Sequence, residues 1–130
     1  MYSYQYLSLP LISDRDYTLK VTDETPAFEP GQAPAFYKSA WVEANDKGPK
    51  PRDGVERVLV NKGFWKFESV DAGKKTRITY YLFTDPGGMV PSFMANKANT
   101  QAIPNLFAAV KKNSKLDRYQ KQPYAPPAQP

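Results

Sequence analysis

Between Tyr2 and Asp85 apolar and polar residues alternate with the two-residue period of half-buried strands, and beyond Pro91 the period becomes helical. Tyr2 to Leu9 carries Tyr2, Tyr4 and Tyr6 at a spacing of two and is closed by Pro10. Asp16 to Thr22 sets Tyr17, Leu19 and Val21 on one face against Thr18, Lys20 and Thr22 on the other. A third strand, Ala35 to Ala44, holds Tyr37 and Trp41 between two loops, Thr25 to Pro34 and Asn45 to Gly54, each rich in Pro and Gly. Val55 to Val70 is too long for one flat strand, so a turn or sharp bend is expected at Asn61-Lys62-Gly63. In its second half Trp65 and Phe67 alternate with Lys66 and Glu68. Asp71 to Lys74 reads as a hairpin turn, Thr76 to Asp85 as the last strand, and Asp85-Pro86-Gly87-Gly88 as the end of the sheet.

In the helical stretch Phe93 and Met94 lead, and Ile103, Leu106, Phe107 and Val110 follow at i, i+3, i+4, i+7. Pro91 suits a first turn, whereas Pro104 removes a backbone donor and crowds the carbonyl of Thr100, which predicts a kink. After Leu116 the chain turns Pro-rich, and residues 117–130 read as an extended mobile arm beyond a domain of residues 1–116. Strands followed by one long helix predict an α+β fold of two layers. The natural arrangement is an antiparallel sheet of about six strands curling around a kinked carboxy-terminal helix. A gap between sheet and helix is then the candidate site.

Composition narrows the chemistry. With no Cys and no His there is no disulfide, thiol nucleophile, histidine base or His-ligated metal. No acid pair is placed for catalysis, so the expectation is a protein without enzymatic activity, metal or cofactor. Leu, Ile, Val and Phe make up 26 of the 130 residues, a low share for a folded domain. Nine Tyr and two Trp compensate, which predicts an aromatic-rich and partly polar interior. No apolar run is long enough to span a membrane, and the amino terminus reads as a strand, not as a signal peptide. A soluble protein of cytoplasm or periplasm is expected.

The net charge of +5 is local. Residues 1–96 hold 12 basic and 12 acidic side chains, and the excess follows from Lys97 onward. A nucleic-acid binder would carry a basic stripe across its body, so no nucleic-acid partner is expected. Lys111, Lys112 and Lys115 sit where the helix dipole favours cations, which is their first reading; transient contact with an anionic membrane surface is the second.

The segments PLISDRDYTLKV, WVEAND, GVERVLVNKGFWKFESVDAG and TRITYYLFTDPGGMVPSFMANKANTQAIPNLF resemble the carboxy-terminal portion of a START domain. This is the steroidogenic-acute-regulatory-protein-related lipid-transfer module, of the type seen in bacterial and phosphatidylcholine-transfer-like proteins. The likeness runs from about Tyr6 to Val110 and is sharpest at the Arg15-Asp16-Tyr17 triplet and at the TYYLFTDPGG junction. It implies a helix-grip fold whose tunnel holds a phospholipid, sterol or similar ligand. The family's opening helix, strands and further helices have no counterpart here, which implies a fragment, or a sheet completed by an oligomer or by strand exchange. Related helix-grip proteins include polyketide cyclases, so a cyclase- or dehydratase-like enzyme using the same cavity is the alternative.

On this resemblance Tyr17 lines the tunnel with Leu19 and offers a hydroxyl to a polar head group, although it reads equally as a core tyrosine. Trp65 and Phe67 line the cavity, joined by Leu59 and Asn61 if the break preserves parity, and by Trp41 from the third strand. The resemblance favours Tyr81 and Phe83 inward over Tyr80, and turns Phe93 and Met94 from the helix toward the sheet. Arg57, if inward, needs a carboxylate or a ligand oxygen; as a surface residue it needs neither. Arg15 and Asp16 read as a pair or a turn cap.

Overall fold

In the computed structural model, residues 1–29 and 34–120 are described, without the side chains of Ala98 and Asn99. The chain divides into two compact units, Met1–Met89 and Val90–Pro130. The first is a six-stranded sheet: β1 (Tyr2–Leu7), β2 (Asp14–Glu24), β3 (Phe36–Glu43), β4 (Val55–Arg57), β5 (Val60–Val70) and β6 (Lys75–Asp85). Its order is β1-β2-β3-β5-β6, antiparallel throughout, with the short β4 added in parallel beside β2. The second unit begins with a helical stretch from Ser92 to Asn113. An α+β architecture of one open sheet followed by a carboxy-terminal helix is therefore what the alternating and then helical periodicity produces.

Strand β2 is long enough to have different neighbours along its length. Its Arg15–Lys20 stretch pairs with β1 on one side. On the other side Asp14–Asp16 pair with β4 and Leu19–Glu24 pair with β3. The chain must therefore step from the edge of β2 to the edge of β3 between β4 and β5. That step falls at Val58-Leu59, not at the expected Asn61-Lys62-Gly63, which runs straight inside β5. Val58 N–H donates to the carbonyl of Asp16 (3.0 Å), and the Asn45 amide donates to the carbonyl of Val58 (2.8 Å) while accepting from Thr18 N–H (2.8 Å). These bonds hold the step in place.

Gly63 misled the turn reading because a glycine inside a strand has a second use, close approach by a neighbour. A Cβ there would lie 2.5 Å from Trp41 Cζ2 and 2.2 Å from the carbonyl oxygen of Tyr81. The position is bare so that the Trp41 indole can lie across the strand.

The hairpin between β5 and β6 turns at Asp71 to Lys74 as expected, with Asp71 and Ala72 in the left-handed region at φ +54° and +50° and Gly73 at +85°. Its register pairs Val70 with Lys75 and, five steps further, Trp65 with Tyr80. Successive residues of a strand point to opposite sides, so that pairing decides which residues share a face.

In the second unit α1 (Ser92–Lys97) passes through a π-helical turn at Ala98–Ala102 into α2 (Ile103–Asn113). The irregularity sits just before Pro104, whose missing N–H cannot bond to the carbonyl of Thr100, so the α-helical ladder widens where the sequence predicted a kink. Asp117–Gln120, the start of the stretch read as an extended arm, instead forms one turn of helix, α3. The rest of that arm, residues 121–130, lies outside the described residues, as do residues 30–33 of the first Pro/Gly loop. Among the described residues no helix is long and apolar enough to cross a membrane.

Gly63→Ala should destabilise the sheet by about 1–3 kcal/mol, the cost of forcing a side chain into a filled space. Urea denaturation followed by tryptophan fluorescence measures this, and an unchanged midpoint would refute the close-packing role.

Candidate functional site

The register collects one face of the sheet from four strands. Tyr17, Leu19 and Val21 of β2 stand beside Trp41 of β3, where Val21 pairs with Trp41. Trp41 pairs with Gly63, and Tyr37 with Phe67, which brings Asn61, Trp65 and Phe67 of β5 onto the same side. Trp65 pairs with Tyr80 and Phe67 with Ile78, so β6 completes the face. The Trp65 and Tyr80 rings lie 4.4 Å apart between centroids, Trp41 and Tyr80 6.0 Å, and Trp65 and Phe67 6.1 Å. These aromatic side chains are half-buried.

A polar cluster sits within this band. Asn61, only 8% exposed, accepts a hydrogen bond from the Trp41 indole N–H (2.9 Å) through Oδ1. Burial pushes the Tyr17 hydroxyl above the ordinary tyrosine range, and a hydrogen bond with Asn61 works in the opposite direction. Burial likewise raises Tyr80, with a smaller push from the neighbouring Tyr17. Among the candidates named from sequence, Tyr17, Leu19, Trp41, Asn61, Trp65 and Phe67 are thus brought together. Such a face can hold an apolar body and offer a hydroxyl and an amide to one polar group.

Other candidates go elsewhere. Tyr81 and Phe83 do not join Trp65: with Tyr80 opposite Trp65, the odd-numbered residues of β6 take the other face. There Tyr81 stacks on Phe64 at 5.6 Å, and Lys62 Nζ lies 5.3 Å from the centre of the Phe83 ring. Leu59 lies outside the strands at the β4–β5 step and is 72% exposed, so parity does not carry it onto the face. On α1, Phe93 is exposed and Met94 half-buried.

Arg57 takes the first of its two expected alternatives, a largely buried guanidinium met by a carboxylate, but away from the aromatic face. It lies directly opposite Asp16 in the parallel β2–β4 pairing, on the face away from Tyr17. Its Nε and Nη2 donate to Asp16 Oδ1 (2.6 Å) and Oδ2 (3.1 Å), and Nη2 also donates to the carbonyl of Pro49 (3.0 Å). The Tyr4 hydroxyl donates to Asp16 Oδ2 (2.9 Å) and accepts from Arg52 (2.7 Å). Arg15 and Asp16 therefore do not pair, because neighbours in a strand face opposite sides; Arg15 donates to the carbonyls of Ser13 and Gly87.

Asp16 is 1% exposed, and the Arg57 guanidinium holds its carboxyl below the usual carboxylate range, against the pull of desolvation and with help from Tyr4. A depressed native value means that the stabilisation is complete above the unfolded-state value, near about 3.9, and is lost as pH falls through the native one. Stability should therefore be insensitive to this group from neutral pH down to about 5 and fall below that. Asp16→Asn should cost about 3 kcal/mol by stranding the Arg57 charge, and should flatten the acid limb of a denaturation series run against pH. An acid limb unchanged in Asp16→Asn would refute this assignment.

Asn45, Tyr37, Ile78 and Tyr80 belong to these structures without having been selected from the sequence. Tyr80 and Ile78 had a usable signal, since a turn over Asp71 to Lys74 already sets them opposite Trp65 and Phe67.

The chain matches no protein-family model, and no curated protein matches it.

Proposed function

We propose that the chain is a START-like lipid-binding module that holds one hydrophobic ligand between the aromatic sheet face and the carboxy-terminal helix, in a helix-grip arrangement, without covalent chemistry. The observation that carries this reading is the half-buried band of Tyr17, Trp41, Trp65, Phe67 and Tyr80 with Asn61 set into it. An apolar surface of this kind rewards removal from water, and its hydroxyl and amide give a ligand's polar end a bonded place. The likeness of Arg15-Asp16-Tyr17 and of the TYYLFTDPGG junction to START domains supports the same reading.

The helix contributes the second wall in this proposal. Its apolar stripe of Met94, Ile103, Leu106, Phe107 and Val110 would supply apolar contacts, and methionine adapts to irregular lipid chains. The π-turn ahead of Pro104 gives the helix a place to flex when a ligand enters. Lys111 and Lys112 in the last turn of α2 would contribute about 1 kcal/mol each to docking on anionic membrane.

Native mass spectrometry and organic extraction of the purified chain should recover one bound lipid, and fluorescent lipid analogues should be taken up. Repeated recovery of nothing, together with no uptake, would overturn the reading. Trp65→Asp, which places a charge on the aromatic face, should weaken uptake by about tenfold or more. Val42→Asp, on the opposite face of β3, should leave uptake unchanged while circular dichroism shows both variants folded. Equal losses in the two variants would refute the choice of face.

A further inference from the structure

Strand β6 is the edge of the sheet, paired with β5 along all eleven of its residues, Lys75–Asp85, and with no strand on its other side among the described residues. Its middle, Ile78 to Phe83, holds no charge, Pro or Gly. Natural edges are commonly blunted by an inward charge, a proline or a bulge. Here the charges Lys75, Arg77 and Asp85 lie only near the ends. The other edge, β1, is only six residues long.

We infer that β6 docks a second copy of this chain, strand to strand and antiparallel about a two-fold axis at Tyr80, joining two sheets into one. Only one register overlaps the whole strand with itself, the one in which Tyr80 meets Tyr80. That register also matches chemistry at every step. Lys75 meets Asp85 at both ends, Arg77 meets Phe83, Thr76 meets Thr84, Ile78 meets Leu82, and Thr79 meets Tyr81. Opposite charges and aromatic partners placed directly across an antiparallel pair are the contacts that stabilise it. Two-fold pairing makes every contact except Tyr80–Tyr80, which lies on the axis, occur twice.

The register keeps even-numbered residues opposite even-numbered ones. The Trp65–Tyr80 aromatic band of one copy therefore runs into that of the other on the same face. Lys75 has a competing partner in Asp71 (3.5 Å), but that pair is exposed and worth little. Asp85 accepts from Gly87 N–H (3.0 Å) through one oxygen, leaving the other for a lysine across the axis.

The chain has no cysteine, so a single introduced one reports the geometry without ambiguity. Sedimentation of the full chain over a range of concentrations should show a monomer–dimer equilibrium. Under oxidising conditions Tyr80→Cys should give a disulfide-linked dimer, because directly opposed residues lie about 4.5–5.5 Å apart between Cα atoms, within disulfide reach. Thr76→Cys should not, since its two copies would stand about 26 Å apart. Lys75→Asp should weaken the dimer by about tenfold or more, and adding Asp85→Lys should restore it. A monomer at all concentrations, cross-linking at 76 in place of 80, or a dimer indifferent to the Lys75→Asp and Asp85→Lys series would each overturn the inference. If Tyr80→Cys fails to fold, the charge series decides alone. Lipid uptake is measured separately, so an unlinked monomer that binds lipid refutes the dimer and leaves the proposed function standing.

Discussion

A carboxylate withdrawn from water must be met on both oxygens or it destabilises the fold, and Asp16 is met on both. Arg57 reaches Oδ1 and Oδ2, and Tyr4 adds a bond to Oδ2. Each partner belongs to a different strand, so one side chain ties β1 and β4 to β2. The backbone of the same residue extends the tie, because its carbonyl accepts from Val58 N–H at the step into β5. Asn45 closes the arrangement from the far side, between Thr18 and Val58. Among the described residues Val58 is the only large apolar side chain buried, while Arg15, Asp16, Thr18 and Asn61 are all buried. The centre of this sheet is organised by polar groups more than by a dry core: Asp16 and Asn61 are hydrogen-bonded, while Arg15 Nε and Thr18 Oγ1 are buried without a hydrogen-bond partner among the described residues. Such a network is intolerant of partial loss, since each member leaves another unpaired.

That anchoring on one side of β2 has a consequence on the other. With Asp16 committed to the β4 side, Tyr17 necessarily points to the opposite face, beside Leu19 and Val21. The step at Val58-Leu59 then starts β5 in the register that brings Asn61 to the Trp41 indole and leaves Gly63 beneath its ring. The polar network and the aromatic face are thus two sides of one register. Disturbing the first would shift the second, even though no side chain belongs to both.

Much of the fold was legible in the chain because alternation is a local property. Tyr17, Leu19 and Val21 share a face in any strand, and Trp65 and Phe67 do likewise. The break before Pro104 was also legible, since a missing N–H acts where it stands. Asn61-Lys62-Gly63 was misread because glycine serves turns and close approaches alike, and only Trp41, twenty residues away at Asn61, distinguishes them. Choosing Tyr81 over Tyr80 was avoidable: the turn over Asp71 to Lys74 sets the register, and counting back from it leads Trp65 to Tyr80.

By itself the sequence determined most of the strands and the helix, where the hairpin turns, where the helix is interrupted, and that aromatic side chains line one face of the sheet beside a few polar groups. These follow from periodicity, turn chemistry and side-chain type, which act over a few residues. The tertiary structure alone decided that Asp16 takes Arg57 and not its neighbour Arg15, that Asn45 bridges β2 to the β4–β5 step, and that Asn61 belongs to Trp41. Asp16 and Arg57 are separated by 41 positions, and nothing local distinguishes Arg57 from the other basic residues of the strands. Only the parallel pairing of β4 on β2 brings that guanidinium to that carboxylate, because partners across a sheet are chosen by register and not by distance along the chain.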